Sequence, residues 1–191
     1  LLVVRATVAV QEAARRIGAS GDVTQLLGEL MVAALLARAA LGPDERLQIY
    51  LDHVGPVGRV AVDVWQTGGV RVYVSQPQVD RKDHGFLVGA GTLCVSRTLA
   101  GKSYSSTVDL DGNGVDDYLM NYLLTSEQIL SQVHSEVSVD ADGAVAHALG
   151  YLVQLMPEGT RDDIARITAN LERLPALQDG ITRSLGDSET S

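Results

Sequence analysis

The chain has 191 residues, of which 46% are hydrophobic and 20% are charged, and its formal net charge is −9. This balance excludes an intrinsically disordered chain, and the length suits one compact core. The excess of acidic residues also argues against nucleic acid and anionic membranes as partners, because both would be repelled. We expect a single core domain over residues 1–175, followed by a polar tail or the start of a linker over residues 176–191.

The cysteine content and the apolar runs exclude further classes. Cys94 is the only cysteine, so these residues hold neither an internal disulfide nor a multi-cysteine zinc site, and a reducing, cytoplasmic location is expected. The longest apolar run, MVAALLA, stops at Arg38 and is shorter than the about 18 residues of a membrane span. No signal peptide is recognisable. Because the chain begins at Leu1 rather than Met, we expect its natural N-terminus to be missing.

The first elements in chain order are a strand, two helices and three more strands. Alternating residues predict a strand over residues 1–10, and QEAARRIG predicts a short helix that ends at Gly18. Apolar residues at helical spacing then predict a long buried helix, with Asp22 as its N-cap and Gly42-Pro43 as its end. The segments RLQIYLD, GRVAVDVW and VRVYVSQ, separated by glycine-containing turns, predict an antiparallel meander.

The second half of the chain predicts two hairpins and two helices. TLCVSRTL and KSYSSTVDL turn at Ala100-Gly101, and VDDYLMNYLL follows as a helix. SQVHSEVSVD and AVAHALGYLVQLM then pair, and the small residues Ala144, Ala146, Ala148 and Gly150 form one face on which a helix can lie closely. A capping box of Thr160 and Asp163 starts a last helix that carries Ile164, Ile167, Leu171 and Leu174. The fold class is therefore α+β, with a mixed, largely antiparallel sheet and packed helices.

The segment DLDGNGVDD at residues 109–117 resembles half of a calcium-binding EF-hand loop. Asp109, Asp111, Asn113 and Asp117 fall on ligating positions of such a loop. The bidentate carboxylate that the loop needs at position 12 is replaced by Met120, and a strand rather than a helix precedes the segment. We therefore interpret it as an acidic corner between a strand and a helix.

The histidines do not predict a metal centre. His53, His84, His134 and His147 have no metal-binding spacing. His147 is expected on the core side of its strand, and His134 is expected opposite it across the hairpin. Zinc at that pair lacks a supporting carboxylate.

No catalytic or cofactor-binding residue is assigned from the sequence. Cys94 alternates with Thr92, Ser96 and Thr98, which indicates a small packing residue, and no basic neighbour in sequence would activate its thiol. The glycine-containing segments GPVGRV and GFLVGAG lack the strand–turn–helix context of a dinucleotide site. Catalytic, cofactor-binding and metal-binding residues are thus predicted to be none, and no client-binding residue is assigned.

Several segments, in the same order along the chain, resemble the heat-shock protein 33 family of redox-regulated holdase chaperones, also called 33-kDa chaperonins. They are Val4-Arg5, LLGELMVAALLARAAL at 26–41, Gly55-Pro56, VGAGTLCVSRT at 88–98, DLDGNGVDDYLMNYLLTSEQI at 109–129 and GYLVQLMP at 150–157. The most specific of them are Ser126-Glu127-Gln128 and the Gln-x-Met-Pro ending of the last strand. The chain has Val4-Arg5-Ala6 where the family usually has Val-Arg-Gly.

The resemblance implies a function and a cofactor. It implies an ATP-independent holdase that binds unfolding proteins under oxidative stress and often forms a dimer. The family's switch is a C-terminal zinc module with four cysteines, which these residues do not contain. We therefore expect no cofactor in this chain, and either a fragment of a longer zinc protein or a lineage without the switch. The alternatives are a non-catalytic small-molecule or calcium-binding regulatory domain and a purely structural dimerisation domain; an enzyme is not expected.

Overall fold

Eight strands and five helices form in residues 1–155 and 159–171, the part of the chain that the computed structural model describes. The strands are β1 Leu2–Arg5, β2 Arg46–His53, β3 Val60–Val64, β4 Val70–Val74, β5 Gly91–Leu99, β6 Lys102–Asp109, β7 Ser131–Val139 and β8 Val145–Gln154. The helices are α1 Thr7–Ile17, α2 Gly21–Ala39, α3 Arg81–His84, α4 Val115–Thr125 and α5 Arg161–Leu171. No described helix is long and apolar enough to cross a lipid bilayer.

The strands form two antiparallel sheets. The larger sheet has five strands in the order β4-β3-β2-β5-β6, and the smaller has three in the order β1-β8-β7. The α+β fold class and the antiparallel pairing are confirmed. The sequence predicts one mixed sheet, whereas the described strands form two sheets with antiparallel pairings throughout.

Helix α2 forms the centre of the core because it packs against strands of both sheets. Most of its 19 residues are buried, among them Leu27, Leu30 and Met31. One face of the larger sheet covers this helix with Leu47, Ile49 and other aliphatic side chains of β2, β3 and β5. The prediction of a helix buried on most sides is confirmed.

The predicted strand over residues 1–10 is correct only in its first half. β1 ends at Arg5, and residues 7–10 belong to α1. Val10 is fully buried within that helix, and the Thr7 hydroxyl accepts a hydrogen bond from the Ala148 N–H at 3.1 Å. The period of two in this segment is misleading, because the packing of α1 on β8 decides the local structure.

The predicted N-cap of α2 is two residues late. Ser20 caps the helix, since its hydroxyl accepts the Val23 N–H at 3.4 Å. Asp22 instead accepts the Arg81 N–H at 2.7 Å and joins the first turn of α2 to α3. Both residue types make good N-caps, so local sequence does not separate them.

The predicted meander forms as β2–β3–β4, and the two predicted hairpins form as β5–β6 and β7–β8. At the β5–β6 turn, Ala100 and Gly101 both have positive φ, 48° and 78°, as a tight two-residue turn requires. The predicted small-residue face of β8 is confirmed in part. At Gly150 an added Cβ would lie 2.5 Å from Val32 Cγ1 of α2, whereas Ala146 is exposed at the irregularity in the β7–β8 register.

The last helix begins with the predicted capping box. The Thr160 hydroxyl and the Asp163 carboxylate each accept the other residue's backbone N–H, at 3.3 and 2.9 Å. The predictions for Leu174 and for the boundary and tail at residues 175–191 lie outside the described residues. The domain limits therefore stay predictions.

Candidate functional site

The acidic segment 109–117 is the corner between β6 and α4, as the sequence predicts. The Asp117 carboxylate accepts the Asn113 N–H at 2.7 Å, and Gly112 takes a φ of 119°. Asp117 therefore closes the turn. Met120 lies inside α4 rather than at a ligating position.

The two histidines of the β7–β8 hairpin do not face each other. In the observed register His134 is opposite Tyr151, and Ser138 is opposite His147. The rings of His134 and Tyr151 lie 5.6 Å apart. The expected cross-strand pair of His134 and His147 is therefore wrong, because the hairpin register separates the two residues by several positions.

Each of these histidines has its own acidic neighbour. His134 Nδ1 lies 3.6 Å from Asp116 Oδ2, and this interaction raises the pKa of His134. His147 is mostly buried, with its Nε2 3.0 Å from Glu136 Oε1. No group of three or more His, Cys, Asp or Glu side chains among the described residues is arranged to hold a metal ion.

His53 connects two loops at one end of the larger sheet. Its Nδ1 accepts the Gly55 N–H at 2.8 Å and the Gly89 N–H at 3.4 Å. The ring proton must then be on Nε2, which is buried. Burial lowers the pKa of His53, so the neutral ring holds the loops together.

Cys94 occupies a packing position, as the sequence predicts. It is buried on β5, with Thr107 Oγ1 of β6 at 3.5 Å and Thr92 Oγ1 at 3.8 Å from its sulfur. These contacts are hydroxyls rather than cations. They do not supply the electropositive surroundings that favour a reactive thiolate.

An ion-pair network surrounds Arg97, and sequence reasoning missed it. Arg97 donates to both oxygens of Glu45, at 3.0 and 3.3 Å, and to Glu127 Oε2 at 2.7 Å. The Tyr122 hydroxyl donates to the other oxygen of Glu127. The network ties β5 to the loop before β2 and to the end of α4. Its only sequence signal is three charged residues within or beside apolar segments.

The network shifts the pKa values of two of its members, Glu45 and Tyr122. The hydrogen bonds from Arg97 lower the pKa of Glu45. Burial, followed by the hydrogen bond to Glu127, raises the pKa of Tyr122 well above its usual range. The charges of Arg97, Glu45 and Glu127 are thus paired with one another, as in a structural ion-pair network.

The second face of the larger sheet, which we call the outer face, is open. Arg46 pairs with Asp63 there, and the guanidinium groups of Arg46 and Arg71 lie 5.1 and 5.0 Å from the centre of the Trp65 ring. Tyr73 is exposed on the same face. This face combines aromatic and cationic groups that suit contact with other polypeptides.

A groove lies between α1 and the free edge of β4, and we call it the α1–β4 groove. It encloses about 590 Å³. Its apolar lining includes Ala9, Ala13, Ile17, Val70 and Val72, and its polar lining includes Glu12, Arg16 and Arg71. Sequence alone does not reveal it, because the pattern of residues 7–10 predicts a strand rather than the helix that forms one wall.

These features define a class of protein: an α+β domain of two antiparallel sheets around a central helix, with open surface and no converging reactive groups among the described residues. The chain belongs to the heat-shock protein 33 family, because the family model described as "Hsp33 protein" matches residues 1–190. The resemblance drawn from the sequence is confirmed.

Curated relatives and a solved structure agree with this assignment. The chain is 40% identical over 178 residues to a 33 kDa chaperonin of Thermus thermophilus, and the match covers 88% of this chain and 52% of the relative. It is 32% identical over 194 residues to the 33 kDa chaperonin of Bacillus subtilis, covering 97% and 67%. The crystal structure of the 33 kDa chaperonin (heat shock protein 33 homolog) from Thermotoga maritima matches with a TM-score of 0.82 and 30% identity, covering 93% of this chain and 64% of that one.

The chain thus spans about half to two thirds of the length of these relatives. The zinc that the family resemblance implies does not fit the residues present. A four-cysteine site needs four thiolates, and the 191 residues have one cysteine, Cys94, which is buried among hydroxyls.

Proposed function

We propose that this chain is the core of an ATP-independent holdase chaperone that binds unfolding proteins and prevents their aggregation. The observation that carries the proposal is the match to the Hsp33 family model along residues 1–190. The chaperonin names of the relatives support the same class of activity. The proposal also states that the chain acts in the cytoplasm under oxidative stress and that it catalyses no chemical reaction.

A holdase needs accessible apolar surface on a soluble body. Several large apolar side chains are exposed in the described part of the chain: Leu1, Val3, Val8, Val54, Tyr73, Phe86, Leu99, Tyr104 and Leu124. Such surface binds unfolded chains by mass action and lowers the concentration available for aggregation. The net charge of −9 keeps the loaded complex soluble.

Val54 and Phe86 stand out because the two loops that His53 connects carry them. Val54 is 85% exposed and Phe86 is 53% exposed. The loops touch through their backbones, since a Cβ added at Gly55 would meet the Leu87 carbonyl and the Gly89 nitrogen. Both exposed apolar side chains thus belong to loops that are joined by His53 and by backbone contacts.

The proposed partners are unfolded or partly unfolded client proteins and a second copy of the chain. Dimerisation is compatible with the free edges at β4 and β6, whose unpaired backbone groups can accept another strand. Sedimentation velocity over a range of protein concentrations measures the oligomeric state. A single monomeric species at every concentration would contradict the dimer and leave the holdase proposal intact.

The proposed function is tested by aggregation of a client without nucleotide. A chemically unfolded client is diluted into buffer with an equimolar amount of this chain, under reducing and under oxidising conditions, and light scattering is followed. We expect scattering to fall relative to an equal amount of a folded, non-chaperone protein of similar size and charge. Unchanged scattering in both conditions contradicts autonomous holdase activity.

A further inference from the structure

We infer that the α1–β4 groove binds an extended apolar segment of a client, with an acidic residue at its end, as an added strand on β4. The inference rests on the proposed holdase function and names the place and the chemistry of client capture. Three features of the groove support it: backbone groups directed outward from an edge strand, an apolar wall and a cation with no carboxylate partner among the described residues.

The first feature is the hydrogen-bonding direction of β4. The Trp65 N–H donates to the Gly69 carbonyl at 2.9 Å, and the Ser75 N–H donates to the Arg59 carbonyl at 2.9 Å. The residue pairs Trp65–Gly69 and Arg59–Ser75 are therefore hydrogen-bonded, and they lie at the two ends of the β3–β4 ladder. In an antiparallel ladder bonded and non-bonded pairs alternate.

Arg71 and Tyr73 are therefore the β4 residues bonded to β3, opposite Asp63 and Ala61. Val70, Val72 and Val74 direct their N–H and C=O groups away from β3. β4 is the last strand of its sheet, and no described residue hydrogen-bonds to Val70 or Val72 from the open side. The edge presents donors and acceptors to an incoming strand.

The second feature is the wall that faces this edge. Ala13 and Ile17 of α1 and Val70 and Val72 of β4 are only partly buried and pack against the core. An extended segment on the edge would place alternate side chains against these four residues. Apolar side chains in that position would be removed from water, which stabilises the complex.

The third feature is charge. The Arg71 guanidinium lies over Trp65, and no carboxylate of the described residues is within ion-pair distance of it. Arg16, across the groove, is paired with Glu12 at 2.7 Å. Arg71 thus offers a cation without a described counter-charge on a protein of net charge −9, and it favours a carboxylate at the end of the bound segment.

The other edge of the sheet does not have this combination. Beside β6 the neighbouring surface of α4 is polar and includes Asn121, Thr125 and Ser126. Asn121 also donates to the Asp109 carbonyl at 3.4 Å and occupies part of that edge. An apolar segment therefore prefers β4.

The test uses the whole chain and a fluorescein-labelled octapeptide of alternating Val and Thr with Asp at both ends. Binding is measured by anisotropy, and the emission of Trp65, the sole tryptophan and part of the groove lining, reports the location. A peptide N-methylated at alternate residues cannot pair as a strand, and a peptide with Lys at both ends reverses the charge. We expect the Asp-ended peptide to bind more tightly than either and to change the Trp65 emission.

The decisive variant is Val72→Pro, which removes an N–H that points away from β3 and leaves the β3–β4 ladder intact. We expect the affinity for the Asp-ended peptide to fall about threefold to tenfold, the range for one lost hydrogen bond. Val72→Ala keeps the N–H and controls for the smaller side chain. Ser105→Pro, the same backbone change on the outward side of β6, is expected to leave affinity unchanged.

Arg71→Glu gives a readout that a structural defect would not produce. It should reverse the preference, so that the Lys-ended peptide binds more tightly than the Asp-ended one. Circular dichroism and thermal melting confirm that each variant is folded. Equal binding of the N-methylated and unmodified peptides, or unchanged affinity in folded Val72→Pro, overturns the inference.

The outcome also separates this inference from the proposed function. If the chain suppresses aggregation and Val72→Pro does so equally well, clients bind elsewhere and the holdase proposal stands. If the chain binds the peptide as described but never suppresses aggregation, the groove stands and the holdase proposal fails.

Discussion

Arg97 Nη1 lies 2.7 Å from Glu127 Oε2, which joins two residues that are 30 positions apart in the chain. They belong to two of the segments, 88–98 and 109–129, through which the sequence resembles its family. The same guanidinium binds Glu45, whose side chain is only 10% exposed. One network therefore fixes β5, the end of α4 and the loop before β2 together.

Replacing Arg97 by Met should destabilise the fold at pH 7 by about 3 to 5 kcal/mol, because it leaves the Glu45 carboxylate buried without its cation. Arg97 lowers the pKa of Glu45 in the folded state, so its contribution is present above the ordinary glutamate pKa and is lost as the pH falls through the folded value. The loss of stability caused by Arg97→Met should therefore be smaller at acidic pH than at pH 7. Urea unfolding at pH 7 and at acidic pH measures both effects.

Arg15→Met is the matched control for Arg97→Met. Arg15 also pairs with a glutamate, Glu12 at 2.9 Å, but its side chain is 66% exposed. Exposed pairs of this kind contribute little to the stability of the fold, because solvent screens the two charges. Equal losses in the two variants would show that the Arg97 network does not stabilise the fold.

Gly150→Ala should destabilise the protein by about 1 to 3 kcal/mol, the range for overpacking a core. The added Cβ would lie 2.5 Å from both Val32 Cγ1 and the His134 carbonyl oxygen. Adding Val32→Ala to the Gly150→Ala variant should recover part of the lost stability. The recovery should be incomplete, because the contact with the His134 carbonyl oxygen remains. Gly69→Ala, where an added Cβ has its nearest neighbours at 3.7 Å, is the control and should change the melting temperature little.

His53→Asn should weaken the pH dependence of stability between pH 7 and pH 5. Burial lowers the pKa of His53 in the folded state, so acidification protonates the unfolded chain first, and stability is lost as the pH falls below about 6.5. The Asn oxygen can still accept the Gly55 N–H but does not titrate. Chemical unfolding at several pH values measures the slope.

His134 provides the opposite case. Its pKa is raised by Asp116, so its contribution is present below about 6.5 and is lost as the pH rises through the folded value. His134→Asn should therefore make the acid loss of stability steeper. An identical pH slope in the two variants would contradict the assigned roles.

Calcium should not bind at the 109–117 corner with a dissociation constant below about 1 mM, the weak end for calcium modules. Asp117 is used within the turn by Asn113, and Met120 replaces the bidentate ligand. Isothermal titration of the whole chain with calcium provides the measurement. Tighter binding that disappears in Asp109→Asn would restore the regulatory-domain alternative.

Local sequence is sufficient for elements that carry their own signals. The glycine-containing turns predict the hairpins, and the helical spacing of the apolar residues between 23 and 37 predicts α2. Local sequence fails at residues 7–10, where Val8 and Val10 suit a strand and only packing on β8 selects the helix. It also fails at Ser20, because Asp22 has the same capping chemistry.

The candidate site is less predictable than the fold. Arg97, Glu45 and Glu127 are distant in sequence, and their charges suggest solvent until the fold brings them together. The relative position of His134 and His147 depends on hairpin register, which composition does not determine. The α1–β4 groove requires both the helix at residues 7–17 and the knowledge that β4 is an edge strand.

The position of α2 between the sheets has a consequence for how the molecule comes apart. Neither sheet keeps a complete core once this helix leaves, so the three-stranded and five-stranded layers should lose their slowly exchanging amide protons at one shared denaturant concentration. The domain that carries the open strand edges and the exposed loops would then remain fully folded until it unfolds as a whole.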